Sequence, residues 1–349
     1  MTPLNGLWER VTDWENLLLA YRMARSGKAD RREVQRFALE LEYELFTIAR
    51  SLRERRYEPG LYRQFWIKDR KRRLISAAPF RDRVVQHALM NVLEPLLDRR
   101  FIFDTYASRR EKGVHAAVAR YRFWAQRYAY VLKLDIRRYF DSIDHQKLKT
   151  KLAHHIADAG VRWLFHQIID HGPRPPSPRP LVAGEDLVDL MERPCGLPLG
   201  NLTSQFLGNL YLDDLDYFIK ETLGVPAYLR YVDDLTLLGD NKPQLWRWCA
   251  AIEGFLAGER LAIHARKRWV VPVRCGIDLL GYRVYPRYVR LSRGSGYRFR
   301  RRFRRVVASY AAGRLTLAEV RTHVAGWLGH ACQAHTQGLR RAVLSSVSF

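Results

Sequence analysis

Two apolar runs built around carboxylates constrain this chain more than any other feature. YAYVLKLDI, residues 128–136, is rich in Tyr, Val and Leu and carries Asp135 at its end. Its length and composition predict a central strand. YLRYVDDLTLLG, residues 228–239, places two apolar arms around Asp233 and Asp234, which predicts a hairpin with both acids at its tip. Together the two elements can bring three carboxylates to one sheet edge. The apolar arms would hold them rigid, and the tip would leave them accessible. Either piece alone says little, because Asp-Asp is common at turns.

Around these runs the pattern alternates helices with short strands. Helical spacing covers about 7–26 (Leu17, Leu18, Tyr21), 33–55, and 82–97 (Val84, Val85, Ala88, Leu89, Val92, Leu93). FWIKDRKRRLISAAPF, 65–80, reads as two short strands around a basic turn from Lys68 to Arg73. Asp144 is placed to cap a helix reaching His155. GPRPPSPRP, 172–180, excludes regular structure and predicts a surface loop. Further helices are expected at 203–223 and 243–258, and strand pairs at 268–285. From Pro286 the chain is strongly basic, with RFRRRFRR at 298–305 and helical spacing beyond. No internal repeat and no flexible linker interrupts it.

The 349 residues are 47% apolar and carry a formal net charge of +24. Such an excess repels itself unless an anionic partner binds. The candidates are nucleic acid and an anionic membrane. No run of about 18 apolar residues is present to span a bilayer, so nucleic acid is favoured and no membrane is expected. Cys195, Cys249, Cys275 and Cys332 are far apart with no CxxC pair, which argues against a zinc site or disulfide framework. A cytoplasmic protein fits, and the N-terminus, with Glu9, Arg10, Asp13 and Glu15, is unlike a signal peptide.

Three carboxylates at one edge suit a pair of divalent cations. Hard cations favour carboxylate oxygens, and two together activate an attacking hydroxyl and stabilise a leaving group. Motif order makes the reading specific. LKLDIRRYFDSIDH resembles motif A of reverse transcriptases, GLPLGNLTSQFLGNLYL motif B, and YVDD motif C. RKRRLISAAPFRDRVVQHAL is similar to the fingers segments of the bacterial and group II intron branch, LAIHARKRW (261–269) to motif D, and LLGYRVYP (279–286) to motif E. These blocks stand in the family's order and cover roughly residues 65–290.

The resemblance implies an α+β right-hand polymerase fold of fingers, palm and thumb. Its antiparallel palm sheet would be flanked by helices, with a mainly helical fingers extension and thumb. The expected division is an N-terminal helical extension (1–60), fingers (61–127), palm (128–286) and basic thumb (287–349). Two magnesium ions are implied, with manganese as a substitute. Asp135 and Asp233 would bind both, Asp234 would support the metal site, and the Ile136 carbonyl would be a further ligand. Phe140 falls at the steric gate, where a flat ring under the sugar leaves no room for a 2′-hydroxyl. Lys68 and Arg72 match residues that hold the incoming triphosphate, with Arg73 a near alternative and a solvated basic turn the bland reading. Lys267 matches the motif D lysine proposed to protonate pyrophosphate, although Arg266 and Arg268 flank it.

Motif B narrows the group. Many reverse transcriptases carry Pro-Gln-Gly followed by Ser-Pro; this chain has Pro198-Leu199-Gly200 and then Ser204-Gln205. GLPLGNLTSQ, together with LWERVTDWENLLLAYRMARSGK and GEDLVDLMERPCGLPLG, resembles the reverse transcriptases of diversity-generating retroelements. Leucine has no donor or acceptor, and sites that hydrogen-bond a substrate discriminate better than apolar ones. The resemblance therefore implies error-prone copying of a template-repeat RNA, biased to template adenines; the bland alternative is that Leu199 only repacks the palm. Gly200 and Asn201 would let backbone approach the nucleotide, while Ser204 and Gln205 would begin the next helix and cap it or touch substrate.

In RYVRLSRGSGYRFRRRFRR, Arg298, Arg300, Arg301, Arg302, Arg304 and Arg305 suit phosphates of a template–primer duplex or structured RNA. The interleaved aromatics would stack on bases or pack a core. Implied partners are a structured template RNA, the RNA/cDNA duplex, deoxynucleotides, and a small basic pentameric accessory protein, in a bacterial or phage-encoded system. Rival readings are a retron-like or phage-defence reverse transcriptase and a non-catalytic RNA-binding scaffold. An RNA-dependent RNA polymerase is disfavoured by Phe140.

Overall fold

Helices open the chain, and polar residues break them where helical spacing alone predicts continuity. The computed structural model describes residues 2–68, 72–173, 186, 188, 193–292 and 294–346. The first expected helix is two, α1 (Trp8–Thr12) and α2 (Trp14–Arg25). Asp13 between them is extended, and its carboxylate accepts the Glu15 and Asn16 amides, which starts a new helix. The second is also split, into α3 (Arg32–Leu39) and α4 (Leu41–Arg53), where Glu40 leaves helical geometry at φ −116° and ψ 34°. A ribbon follows, β1 (Arg63–Lys68) paired antiparallel with β2 (Arg72–Ala77), with Lys68 opposite Arg72. α5 (Phe80–Leu97) buries its expected stripe, Val84 to Leu93, and packs against α2.

Next come α6 (Val114–Ala125), β3 (Tyr130–Asp135), α7 (Tyr139–Ser142), α8 (His145–His155) and α9 (Ala159–Asp170). Asp144 caps α8 as expected, accepting the Lys147 amide at 2.8 Å. Of the expected loop at 172–180, all beyond Pro173 lies outside the described residues. The helix expected at 203–223 is three pieces: α10 (Leu202–Tyr211), α11 (Asp213–Tyr217) and a π-helical turn, Phe218–Thr222. The break at Leu212 creates a second helix start, where Asp213, Asp214 and Asp216 crowd the first turn. Asn201, not Ser204 or Gln205, stands at the N-cap of α10.

The hairpin is β4 (Tyr228–Tyr231) and β5 (Asp234–Gly239); α12 (Lys242–Gly258) and β6 (Trp269–Pro272) follow. Strand order is β4-β5-β3-β6, antiparallel throughout, so β3 is central. The strand pairs expected at 268–285 divide. β6 joins this sheet, while β7 (Ile277–Leu279), β8 (Tyr282–Val284) and β9 (Val289–Leu291) make a second, three-stranded one.

Alternation sends the two faces of the large sheet into different cores. Leu132, Leu134, Leu235, Leu237 and Tyr228 face the main helical core. Val131, Leu229 and Leu238 face a second cluster with Tyr121 of α6 and the three-stranded sheet. Towards Asp135 that second face turns polar, carrying Lys133, Asp135, Asp234 and Thr236.

A third cluster belongs to α13 (Ser295–Ala311), α14 (Leu317–Ala331) and α15 (Gln337–Leu344). Phe299 stacks on Trp327 at 4.1 Å, and Phe303 is buried beside it. The aromatics of RFRRRFRR therefore pack the core, while its six arginines lie exposed on the other faces of α13. Tyr282 of β8 ties this bundle to the sheets. Its hydroxyl donates to the His330 carbonyl at 2.8 Å and lies 3.0 Å from Nε2 of His115.

Candidate active site

The register places the carboxylates. Asp135 at the end of β3 stands directly opposite Asp234 at the start of β5. Tyr231 also pairs with Asp234, which leaves Val232 and Asp233 as a two-residue turn. Asp233 alone is at the tip; Asp234 is already strand. Val232 has φ +58°, at a turn position that usually takes glycine. A β-branched residue is strained there and persists only where its surroundings over-determine it.

Two contacts do so. The Ile136 amide donates to the Asp233 carbonyl at 3.0 Å, tying the turn to the end of β3. The Arg230 guanidinium donates to the Val232 carbonyl at 3.2 Å from below. Arg230 and Asp216 are fully buried and paired at 2.6 and 2.8 Å. Tyr228 and Thr105 hydroxyls donate to the same carboxylate at 2.6 and 3.1 Å. Burial works against the Arg230 charge, but Asp216 more than offsets it and holds its pKa well above the usual value.

Asp233 titrates away from its ordinary value. Burial, then the adjacent Asp135 carboxylate, pushes its pKa up to about 6. Lys267 donates to Asp135 Oδ2 at 2.6 Å from a short 3-10 turn, Ala265–Lys267. Lys133 donates to the Asp234 carboxylate and, at 3.1 Å, to the Thr236 hydroxyl. Among the described residues no group of three or more His, Cys, Asp or Glu is arranged to hold a metal ion. Lys133 engages the third acid, Asp234. Asp135 and Asp233 remain a fitting donor pair: two hard oxygen ligands whose mutual repulsion a divalent cation would relieve.

The other expected site residues surround this edge unequally. Phe140 is half-buried against α10, where a Cβ on Gly208 would stand 3.1 Å from its ring. The Leu199 carbonyl accepts the Ser76 amide at 2.9 Å, fastening motif B to the β2 strand of the ribbon. Gly200 has φ +114°, and a Cβ there would meet Ile75 Cγ2 at 3.0 Å. Asn201 is buried, and its amide donates to the Tyr62 hydroxyl at 3.1 Å. Gln205 is exposed and accepts from Ser108. Lys68, Arg72 and Arg73 are exposed on the ribbon, with the Arg72 guanidinium 4.3 Å from the centre of the Trp66 ring. The arginines of α13 sit on the separate C-terminal cluster.

Residues 67–284 match the reverse transcriptase (RNA-dependent DNA polymerase) family, and the chain belongs to it. Its fold is accordingly the α+β right-hand polymerase fold, with antiparallel sheets among the helices. The chain is 26% identical over 237 residues to protein YkfC of Escherichia coli, covering 66% of this chain and 55% of that protein. It is 24% identical over 183 residues to the group II intron-encoded protein LtrA of Lactococcus lactis, covering 52% of this chain and 29% of that protein. It thus spans about half the length of YkfC and less of LtrA.

Sequence reasoning missed Lys133, Arg230 and Asp216. For Lys133 and Arg230 the signal was a charged residue inside an apolar strand; Asp216 lies on α11 and carried no such signal.

Proposed function

We propose that this chain is an RNA-directed DNA polymerase of the diversity-generating type, copying a template-repeat RNA into adenine-mutagenised cDNA. The supporting observation is the register that sets Asp135 against Asp234 with Asp233 in the adjoining turn. Magnesium, held by Asp135, Asp233 and the Ile136 carbonyl, would activate the primer hydroxyl and stabilise the leaving pyrophosphate. The chain's residues do the rest. The hairpin holds Asp233 towards Asp135, and Phe140 closes the space beside a deoxyribose. Lys267, which donates to Asp135 at 2.6 Å, would hand a proton to the departing phosphate. Lys68, Arg72 and Arg73 would meet the triphosphate. The exposed arginines of α13 would hold template–primer phosphates in a thumb spanning about 287–349, next to a palm at 128–286, fingers at 61–127 and a helical extension before them. A small basic pentameric partner and a structured template RNA complete the reading.

The diversity-generating assignment rests on Leu199, which presents no hydrogen-bonding side chain to a nucleotide. Gly200 and Asn201 beside it, with Gln205 on α10, would line the same pocket.

The test is primer extension on RNA with magnesium and four deoxynucleotides, followed by product sequencing, with an Asp233→Ala/Asp234→Ala control. Extension that the control lacks, with errors concentrated at template adenines and reduced by Leu199→Gln, supports the proposal. Accurate extension removes the mutagenic assignment. Silence even with the native RNA and accessory protein favours an RNA-binding scaffold.

A further inference from the structure

We propose that Lys133 is a positioning residue of this site: a buried counter-cation that holds Asp234 against the sheet and keeps it out of the cation-binding pair. The inference rests on the polymerase reading above and names how one acid is separated from the other two.

Lys133 interrupts the apolar strand YVLKLD, and its neighbours Leu132 and Leu134 point into the main core. Alternation therefore puts Lys133 on the face that carries Asp135. Its cross-strand partners are Thr236 on β5 and Trp269 on β6, and Asp234 lies one diagonal step from it. The lysine side chain is 8% exposed. A buried ammonium is tolerated only when paired and hydrogen-bonded, and both conditions are met, by the Asp234 carboxylate and by the fully buried Thr236 hydroxyl.

The second lysine differs. Lys267 has a side chain 40% exposed, on a 3-10 turn, and contacts Asp135 from the solvent side. Lys133, by contrast, is enclosed on the central strand. The three acids thus fall into one internally neutralised carboxylate, Asp234, and two that are left to bind cations, Asp135 and Asp233.

The test is direct Mn2+ binding to the full chain with a chain-terminated primer–template and matching nucleotide, read as loss of the free-ion electron paramagnetic resonance signal. Thermal unfolding is followed in parallel. Lys133→Met leaves a third unneutralised acid beside the pair and should tighten Mn2+ binding about tenfold or more. Lys133→Arg keeps the charge and should bind within about threefold of the parent. Lys133→Met/Asp234→Leu leaves no unpaired charge and should also bind within about threefold. A purely structural lysine would lower the unfolding temperature without tightening Mn2+ binding. If Lys133→Met does not fold, the double variant decides: loss of Mn2+ binding there makes Asp234 a ligand and overturns the inference. A folded Lys133→Met that binds no tighter overturns it as well. Asp233→Asn is the control. If it binds Mn2+ like the parent, or the parent binds none, the polymerase site itself is wrong and the inference falls with it.

Discussion

Replacing Arg230 with methionine should be among the most damaging single changes outside the three acids. Arg230 and Asp216 are both 0% exposed, and the guanidinium makes contacts at 2.6 to 3.2 Å to Asp216, Asn209 and the Val232 carbonyl. Removing one partner of a buried pair costs about 3–5 kcal/mol, because the other charge stays buried and unpaired. Here Asp216 would keep the Tyr228 and Thr105 hydroxyls, which favours the lower half of that range. The Val232 and Asn209 carbonyls would each lose a donor, adding about 1 kcal/mol apiece. The total is about 5–6 kcal/mol, a large part of the roughly 5–15 kcal/mol that keeps a domain folded. Urea denaturation followed by tryptophan fluorescence measures it. Arg230→Met/Asp216→Asn removes the stranded charge while keeping an acceptor for both hydroxyls, and should recover about 2 kcal/mol relative to the single variant. A loss below about 1 kcal/mol for Arg230→Met, or a double variant no more stable than the single, would refute this account of the hairpin.

Three further outcomes are expected. Burial, then the Asp216 carboxylate, pushes the Asp213 pKa up to about 8, so the folded chain keeps a proton that the unfolded chain releases near the ordinary value of 3.8. Stability is then lost as pH rises between those values and levels off above about 8. Asp213→Asn should lack that fall, and parallel stability–pH curves for parent and variant would sink the assignment. Gly200→Ala adds a strained Cβ 3.0 Å from Ile75 Cγ2 and should raise KM for deoxynucleotides more than it lowers stability; steady-state kinetics beside a melting curve separates the two. Arg300→Ala/Arg301→Ala/Arg304→Ala should flatten the slope of log binding against log salt by roughly 2–3 on primer–template duplex. The same variant should leave the melting temperature unchanged, because all three side chains are exposed.

The strands and their acids were legible because continuous apolar runs of strand length, bounded by acids, mark buried strands. YAYVLKLDI and YLRYVDDLTLLG form the elements expected of them, and Asp144 caps its helix. What failed was helix continuity. Helical spacing over about 7–26 runs through Asp13, and only its extended backbone shows that it starts a new helix. Leu212 has nothing in its own chemistry to mark a break; the three acids that follow carry the signal. The inward turn of Phe299 and Phe303 was readable from their spacing of four, which puts both on one helix face. Lys133 and Arg230 were unreadable in their roles, because each depends on a partner set by strand register or by packing. Asp216 is 14 residues from Arg230, and Asp234 is 101 from Lys133.

These two residues share a geometry that explains why a chain of net charge +24 keeps buried cations beside its acids. Each lies on a strand of the four-stranded sheet, and each holds a residue next to Asp233. Arg230 pairs across the sheet with Leu235, so it lies on the face of the main helical core and grips the Val232 carbonyl from there. Lys133 pairs with Thr236, so it lies on the opposite face and grips the Asp234 carboxylate. The strained turn is therefore clamped from both sides of the sheet, with Asp233 between the two grips. Neither cation reaches Asp233 itself, whose pKa is raised rather than lowered. The buried positive charge stabilises the frame of the hairpin and leaves the acid at its tip beside the Asp135 carboxylate, whose charge helps raise its pKa.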